Sequence, residues 1–210
     1  MSLTTAAIAE RALRFHALHR GDGVLLLPNA WDVISARVFE QAGFGVVGTT
    51  SFGIARAHGF RDGEDAAYDV TLDMVRRIAP ALSVPLTADI EAGYGDTPEE
   101  VAARGRELLQ AGAVGFNIED GSLRDPSGLA DAALQSEKIA ALKEAGASLG
   151  IPVFVNARTD VFWRDPNAGA SGLAAALRRA EVYLRAGADG IFIPGLSPTV
   201  ALSNSAAARQ

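Results

Sequence analysis

Pro85-Leu86-Thr87-Ala88-Asp89-Ile90-Glu91-Ala92-Gly93-Tyr94-Gly95 is the stretch on which the reading of the whole chain turns. A short apolar run after a proline marks a buried strand. It ends in carboxylates at alternate positions and a Gly-Tyr-Gly turn. Residues i and i+2 of a strand face the same way, so Asp89 and Glu91 are expected to project together from the strand's C-terminal end. Adjacent acids repel, and the arrangement costs stability unless a cation sits between them. The plain alternative is a pair of solvated acids at a strand-to-loop junction.

Outward from this strand, the chain alternates helix and strand. A helix pattern over Thr4–Arg20 precedes an apolar run, Val24–Leu27, that reads as the first strand. Further strands are expected at Gly45–Thr49, Val84–Asp89, Val114–Ile118, Pro152–Asn156 and Gly190–Ile193. Asp32 is a candidate helix cap, and Thr97-Pro98-Glu99-Glu100 combines a threonine N-cap, proline at N1 and glutamate at N3. Gln41-Ala42-Gly43, Gln110-Ala111-Gly112 and Arg185-Ala186-Gly187 each end a helix and lead into a short apolar strand, so the repeating unit is βα.

Continuous apolar strands between amphipathic helices define an α/β protein with a helix-covered parallel sheet. Six such units fit either a doubly wound open sheet or a TIM-type (β/α)8 barrel. No Gly-x-Gly-x-x-Gly turn follows the first strand, which weakens the dinucleotide-binding version of the open sheet. Polar residues gather at strand C-termini, where barrels build their sites: Asn29 and Asp32, Thr49 to Ser51, Asp89 and Glu91, Glu119 and Asp120, Asn156 and Arg158. The expectation is one barrel domain over 1–210, short of its last two βα units, because Leu196–Gln210 has no strand or core pattern.

Composition narrows the function. The 210 residues carry a net charge of −6, which argues against nucleic acid or an anionic membrane as partner. No apolar run approaches the ~20 residues of a membrane span, and Met1–Arg20 lacks the apolar core of a signal peptide. A cytoplasmic protein is expected. The absence of cysteine removes disulfides, thiolate metal sites and cysteine catalysis. Asp62, Asp89, Glu91 and Glu119 offer oxygen ligands from three loops or strand ends, a set suited to Mg2+ or Mn2+. Such an ion can bind a 2-oxo acid and stabilise the enolate formed when the bond beyond C3 breaks. Arg158 is placed to hold a carboxylate by two hydrogen bonds, and backbone amides near Thr50 and Ser51 are candidate oxyanion donors. His16 and His19 read as surface residues, Trp31 and Trp163 as packing residues rather than stacking platforms, and His58 as a weaker candidate for the site.

At these residues the chain resembles the isocitrate lyase/phosphoenolpyruvate mutase superfamily. The motifs that carry the resemblance are Pro28-Asn29-Ala30-Trp31-Asp32, Gly48-Thr49-Thr50-Ser51, Gly59-Phe60-Arg61-Asp62, Ala88 to Gly95, Asn117-Ile118-Glu119-Asp120 and Asn156-Ala157-Arg158-Thr159-Asp160. The resemblance implies a phosphoenolpyruvate mutase-type barrel with Asp89 as the direct Mg2+ ligand. Asp62, Glu91 and Glu119 would hold the metal's waters; Thr50, Ser51 and Arg158 would hold the 2-oxo acid; and Tyr94 would line the site. It also implies a homo-oligomer whose subunits exchange their last helix. Glu91 stands where the family often has aspartate.

The departures are specific. The lyase branch's Lys-Lys-Cys-Gly-His loop is absent, and Gly121 to Gly128 carries Arg124 as its one cation, unlike the mutase gating loop. A C-terminal truncation or changed reading frame is expected near Ser197–Ser203, leaving the edges of the first and sixth strands open. The resulting expectation is a lyase-type enzyme that cleaves or forms a C–C bond of a small 2-oxo acid or related carboxylate. A non-catalytic remnant and a P–C bond hydrolase or mutase acting on phosphonopyruvate stand as alternatives.

Overall fold

The computed structural model describes residues 3–63, 68–121 and 128–196; most of the Gly121–Gly128 loop and the Ser197–Ser203 segment lie outside them. Six parallel strands lie side by side in chain order: β1 (Asn29–Ala30), β2 (Val47–Thr49), β3 (Leu86–Asp89), β4 (Gly115–Glu119), β5 (Phe154–Arg158) and β6 (Gly190–Phe192). The helices are α1 (Thr5–His19), α2 (Val33–Gln41), α3 (Ser51–Ala57), α4 (Tyr68–Ile78), α5 (Pro98–Ala111), α6 (Ala132–Ser148), α7 (Val161–Arg164) and α8 (Gly169–Arg185). A doubly wound sheet reverses its strand order at a switch point. The unbroken order 1 to 6 is instead that of the (β/α) barrel. Among the described residues, no helix is long and apolar enough to cross a membrane.

The three Ala-Gly repeats have one physical cause. Gly43, Gly112 and Gly187 have φ of 93°, 112° and 103°, the left-handed conformation that glycine adopts without Cβ strain. After each, the next N–H reaches back five residues, Phe44 to Phe39, Ala113 to Leu108 and Ala188 to Tyr183, at 3.2, 3.1 and 3.0 Å. The helix is closed there and the chain is turned into the following strand. Helix starts are equally local. Asp32 and Ser35 form a capping box on α2, and Thr97 and Glu100 form one on α5 behind Pro98.

The strands sort their side chains with period two. In β4, Phe116 and Ile118 are buried while Asn117 and Glu119 are half-buried; in β5, Val155 and Ala157 are buried while Asn156 and Arg158 are half-buried. The buried set joins Leu108, Ile139, Leu142 and Tyr183 in the core between sheet and helices. The half-buried set faces away from that core, and Asn117, Asn156 and Arg158 of it line a cavity of about 780 Å³ together with Asp89 and residues from the β1 and β6 sides.

The first expected strand is displaced. Val24–Leu27 forms no ladder, and pairing begins only at Asn29. The run keeps strand-like alternation, with Val24 and Leu26 exposed at 90% and 65% and Leu25 and Leu27 packed on the core. Just after it, the Pro28 carbonyl accepts from the Gly48 N–H of β2 at 2.9 Å. Apolar alternation marks the buried face, but a strand also needs a partner for its backbone groups. The edges left to the sheet are short, which limits the liability of unpaired strands.

Removing the α5 cap tests this local account. Thr97→Ala is expected to lower unfolding stability by about 1 kcal/mol, read as a shift in denaturant midpoint at unchanged m-value; no shift would remove the cap from the account.

Candidate active site

Parallel register carries distant residues into two interior layers. Asp89 of β3 stands opposite Asn117 of β4, and Asn117 opposite Asn156 of β5. One step further along the strands, Glu119 stands opposite Arg158, and Arg158 opposite Phe192. The first layer is wired by side chains: Asn156 Nδ2 donates to Asn117 Oδ1 at 3.0 Å, and Asn117 Nδ2 to Asp89 Oδ1 at 3.3 Å.

Asp89 is held from its other side by the β2–α3 junction. Its Oδ2 accepts from the Ser51 hydroxyl at 2.7 Å and from the Ser51 N–H at 3.1 Å, and its own N–H donates to Thr49 Oγ1 at 2.9 Å. This corrects the expectation of free oxyanion donors at Thr50 and Ser51. The Ser51 amide is committed to Asp89. The Thr50 amide donates to the Ala30 carbonyl at 3.0 Å, and the Thr50 hydroxyl caps α3 by accepting from the Gly53 N–H. Thr50 still lines the cavity.

Glu91 arrives by a different route from the one alternation suggests. β3 ends at Asp89, and Glu91 adopts φ 49°, a left-handed conformation uncommon for a residue with a Cβ. The turn is tied down on all sides. Glu91's carbonyl accepts from the Glu119 N–H at 2.8 Å. The buried Lys138 donates to the carbonyls of Ala92 and Gly95 at 3.3 and 2.8 Å. Tyr94, itself at φ 55°, donates its hydroxyl to Glu91 Oε1 at 3.1 Å and pairs with Thr71 Oγ1 at 2.9 Å. Burial, with Glu91 beside it, keeps the Tyr94 phenol well above its ordinary pKa. Glu91 is 4% exposed, so it is not a solvated acid at a loop.

Glu119 and Arg158 meet at 2.8 Å, and Asp160 grips the same guanidinium through Nε at 2.6 Å and Nη2 at 3.2 Å. Burial pushes the Glu119 carboxyl up to about 8; Arg158 opposes the shift, and Asp160, Asp89 and Glu91 add to it. Burial works against the Arg158 charge, but Glu119, Asp160 and Asp89 outweigh it and hold its pKa above the usual range. Glu119 therefore lies near enough to feel the charge of both Asp89 and Glu91.

Asp62 is exposed in the loop after α3, and no described contact joins it to the other acids. His58 hydrogen-bonds the Ile54 carbonyl within its own helix turn and is not a cavity residue. His16 is half-buried, bonded to the Pro152 carbonyl, and His19 stacks on Phe154 at 4.1 Å. The expectation that Trp163 packs is corrected: it is 63% exposed, with the Arg158 guanidinium 5.7 Å from its ring centroid. The Asn117–Asn156 pair escaped the assignment of roles, although both residues sit in quoted motifs two positions before Glu119 and Arg158. Arg179 and Tyr183, which bind Asp120, escaped entirely; their only signal is i, i+4 spacing.

A metal must match these donors. Among the described residues, no three His, Cys, Asp or Glu side chains stand close enough to cage an ion. The donors at the rim are carboxylate and amide oxygens. That set suits Mg2+, which binds through one or two carboxylates and keeps several waters, rather than zinc.

Fold and rim together define a parallel (β/α)-barrel protein with an acid-rich site at the C-terminal ends of its strands. Residues 15–209 match the phosphoenolpyruvate phosphomutase family. An uncharacterized protein of Mycobacterium tuberculosis (strain H37Rv) is 38% identical over 182 residues, covering 87% of this chain and 65% of that protein. An oxaloacetate decarboxylase of Bradyrhizobium sp. (strain BTAi1) is 32% identical over 86% of this chain and 62% of its own length. Among solved structures, a candidate phosphonomutase of Burkholderia cenocepacia J2315 superposes with a TM-score of 0.87 at 40% identity, covering 94% of this chain and 80% of that one. A phosphonopyruvate hydrolase complex with oxalate and Mg2+ gives 0.81 at 28%, covering 92% and 66%. The chain belongs to the phosphoenolpyruvate phosphomutase family, within the isocitrate lyase/phosphoenolpyruvate mutase superfamily. It spans less than two thirds of the two curated relatives named here.

The clamp on Arg158 leaves no room at Gly121, where a Cβ would collide with the Asp160 carboxylate. Gly121→Ala is expected to cost about 1–3 kcal/mol by overpacking, measured by chemical denaturation. Wild-type stability would show that Asp160 moves freely and that the clamp is loose.

Proposed function

We propose that the chain is a Mg2+-dependent carbon–carbon lyase acting on a small 2-oxo acid or related carboxylate. The observation that carries this reading is the convergence of Asp89, Glu91 and Glu119 with Arg158 at the ends of β3, β4 and β5. Asp89 is the proposed direct ligand, with Mn2+ as a substitute for Mg2+; Glu91 and Glu119 hold metal-bound waters, and Asp62 joins them from its loop. When bound, the ion supplies Lewis-acid stabilisation of the negative charge that develops on the substrate's keto oxygen.

The chain's own residues do the rest. Asn117 and Ser51 orient the two oxygens of Asp89. Asp160 occupies Nε and Nη2 of Arg158, so Nη1 is the nitrogen that turns from Glu119 to the substrate carboxylate. Thr50, on the cavity wall, bounds the other end of the substrate, and Ser51 acts there through Asp89. Tyr94 acts on the site through Glu91, whose carboxylate it holds. We read residues 1–210 as one barrel domain of a cytoplasmic homo-oligomer that takes a small molecule rather than nucleic acid or membrane as partner.

The named activity of the Bradyrhizobium relative supports C–C chemistry. The phosphonopyruvate hydrolase that holds oxalate and Mg2+ supports both the ion and the ligand class. Its name and that of the Burkholderia protein also favour a second reading, P–C bond hydrolysis or mutation on phosphonopyruvate.

Calorimetry tests the site. The chain is expected to bind oxalate only with Mg2+ present. Asp89→Ala is expected to weaken this by more than about a hundredfold, beyond the loss expected from an outer-shell partner. Equal oxalate binding in EDTA, or full turnover there, would overturn the metal assignment. A turnover screen separates the chemistries: oxaloacetate or a 2-alkylmalate should be consumed with C–C cleavage, whereas phosphate release from phosphonopyruvate alone would favour the second reading.

A further inference from the structure

Next to Asp160 lies a buried polar cluster that the proposed chemistry does not use. Asp120 is fully buried. Its Oδ1 accepts from the Asp160 N–H at 2.8 Å. Its Oδ2 accepts from the Tyr183 hydroxyl at 2.7 Å and from Arg179 Nη1 at 3.0 Å. Arg179 Nη1 also donates to the Ala130 carbonyl at 3.0 Å and to the Tyr183 hydroxyl at 2.9 Å.

A buried ion pair is weak evidence for stability, because apolar residues of similar volume often serve as well. Here α8 already packs through apolar contacts, with Tyr183 and Ala176 fully buried and Ala180 nearly so. What the charged cluster adds is a fixed position for Asp160, whose backbone it holds and whose carboxylate holds Arg158. Second-layer partners of this kind orient the groups that touch ligand.

We propose that Arg179 and Tyr183 are positioning residues for Arg158. Through Asp120 they set Asp160, and Asp160 sets the direction in which Arg158 presents its remaining nitrogen. The functional side of this inference rests on the reading of Arg158 as the carboxylate holder; the structural side does not.

Trp163 is a built-in probe, because the Arg158 guanidinium lies over its ring and the only other tryptophan is Trp31. In a Trp31→Phe background, Arg158→Met defines the emission of Trp163 without the guanidinium. Tyr183→Phe keeps the buried ring and removes the hydroxyl. It is expected to move Trp163 emission in the direction of Arg158→Met and to raise the oxalate Kd in Mg2+ by about tenfold or more. Ile78→Val, a core change remote from the clamp, is expected to leave both unchanged when compared at equal loss of melting temperature. A folded Tyr183→Phe protein with wild-type Trp163 emission would overturn the proposal. Arg179→Lys takes its place, with the same two outcomes, where Tyr183→Phe does not fold. If the parent binds no oxalate, or the emission moves while oxalate affinity does not, the carboxylate-holder reading fails, and the emission comparison still decides whether the cluster positions Arg158.

Discussion

The ion pairs of Arg158 are the constraint on which the rim depends. Glu119 carries the electrostatic cost of the acids around it: burial raises its pKa, and Asp160, Asp89 and Glu91 add to the rise. Arg158 meets two of them directly, at 2.8 Å and 2.6 Å, and Asp89 also contributes to holding its charge. A planar guanidinium suits this task better than an ammonium, because its fork can grip Asp160 at two nitrogens and still reach Glu119.

The sheet makes that crowding possible. Parallel pairing in strict chain order converts residues 89, 117 and 156 into one layer and 119 and 158 into the next. Period-two alternation sends Phe116, Ile118, Val155 and Ala157 to the helix side and leaves Asn117, Asn156 and Arg158 at the cavity. Apolar packing behind the sheet thus supplies the rigidity, and the interior face is free to carry chemistry. This division of labour underlies the many reactions found on barrels and agrees with the range of activities named among the superfamily relatives.

Much of the fold was legible because its signals are local. Capping boxes at Asp32 and Thr97 and left-handed glycines closing helices act within a few residues of chain, so spacing alone reveals them. The α/β class followed from the βα repeat, the barrel from the polar residues gathered at strand ends, and the superfamily from the ordered motifs. Val24–Leu27 failed as a strand because strand formation is a two-body event, and its apolar alternation records burial only. Alternation also placed Asp89 and Glu91 together on one face of a strand, and there the local geometry differs. The strand stops at Asp89, and Glu91 is turned toward the rim by a left-handed backbone that Tyr94 and Lys138 hold in place.

The sequence by itself determined the order of elements, the α/β class, the superfamily and the set of oxygen-bearing residues at strand ends. Each is set by local conformational preference or by motifs of a few consecutive residues. Only the tertiary structure decided how those residues are occupied. Ser51 is a partner of Asp89, Thr50 caps a helix, Asp160 clamps Arg158, and Asp120 turns to Arg179 and Tyr183. Those choices depend on which donors packing and register bring within about 3 Å of a buried acceptor. Residues such as Asp120 and Tyr183, 63 positions apart in the chain, carry no mark of each other until the fold has placed them together.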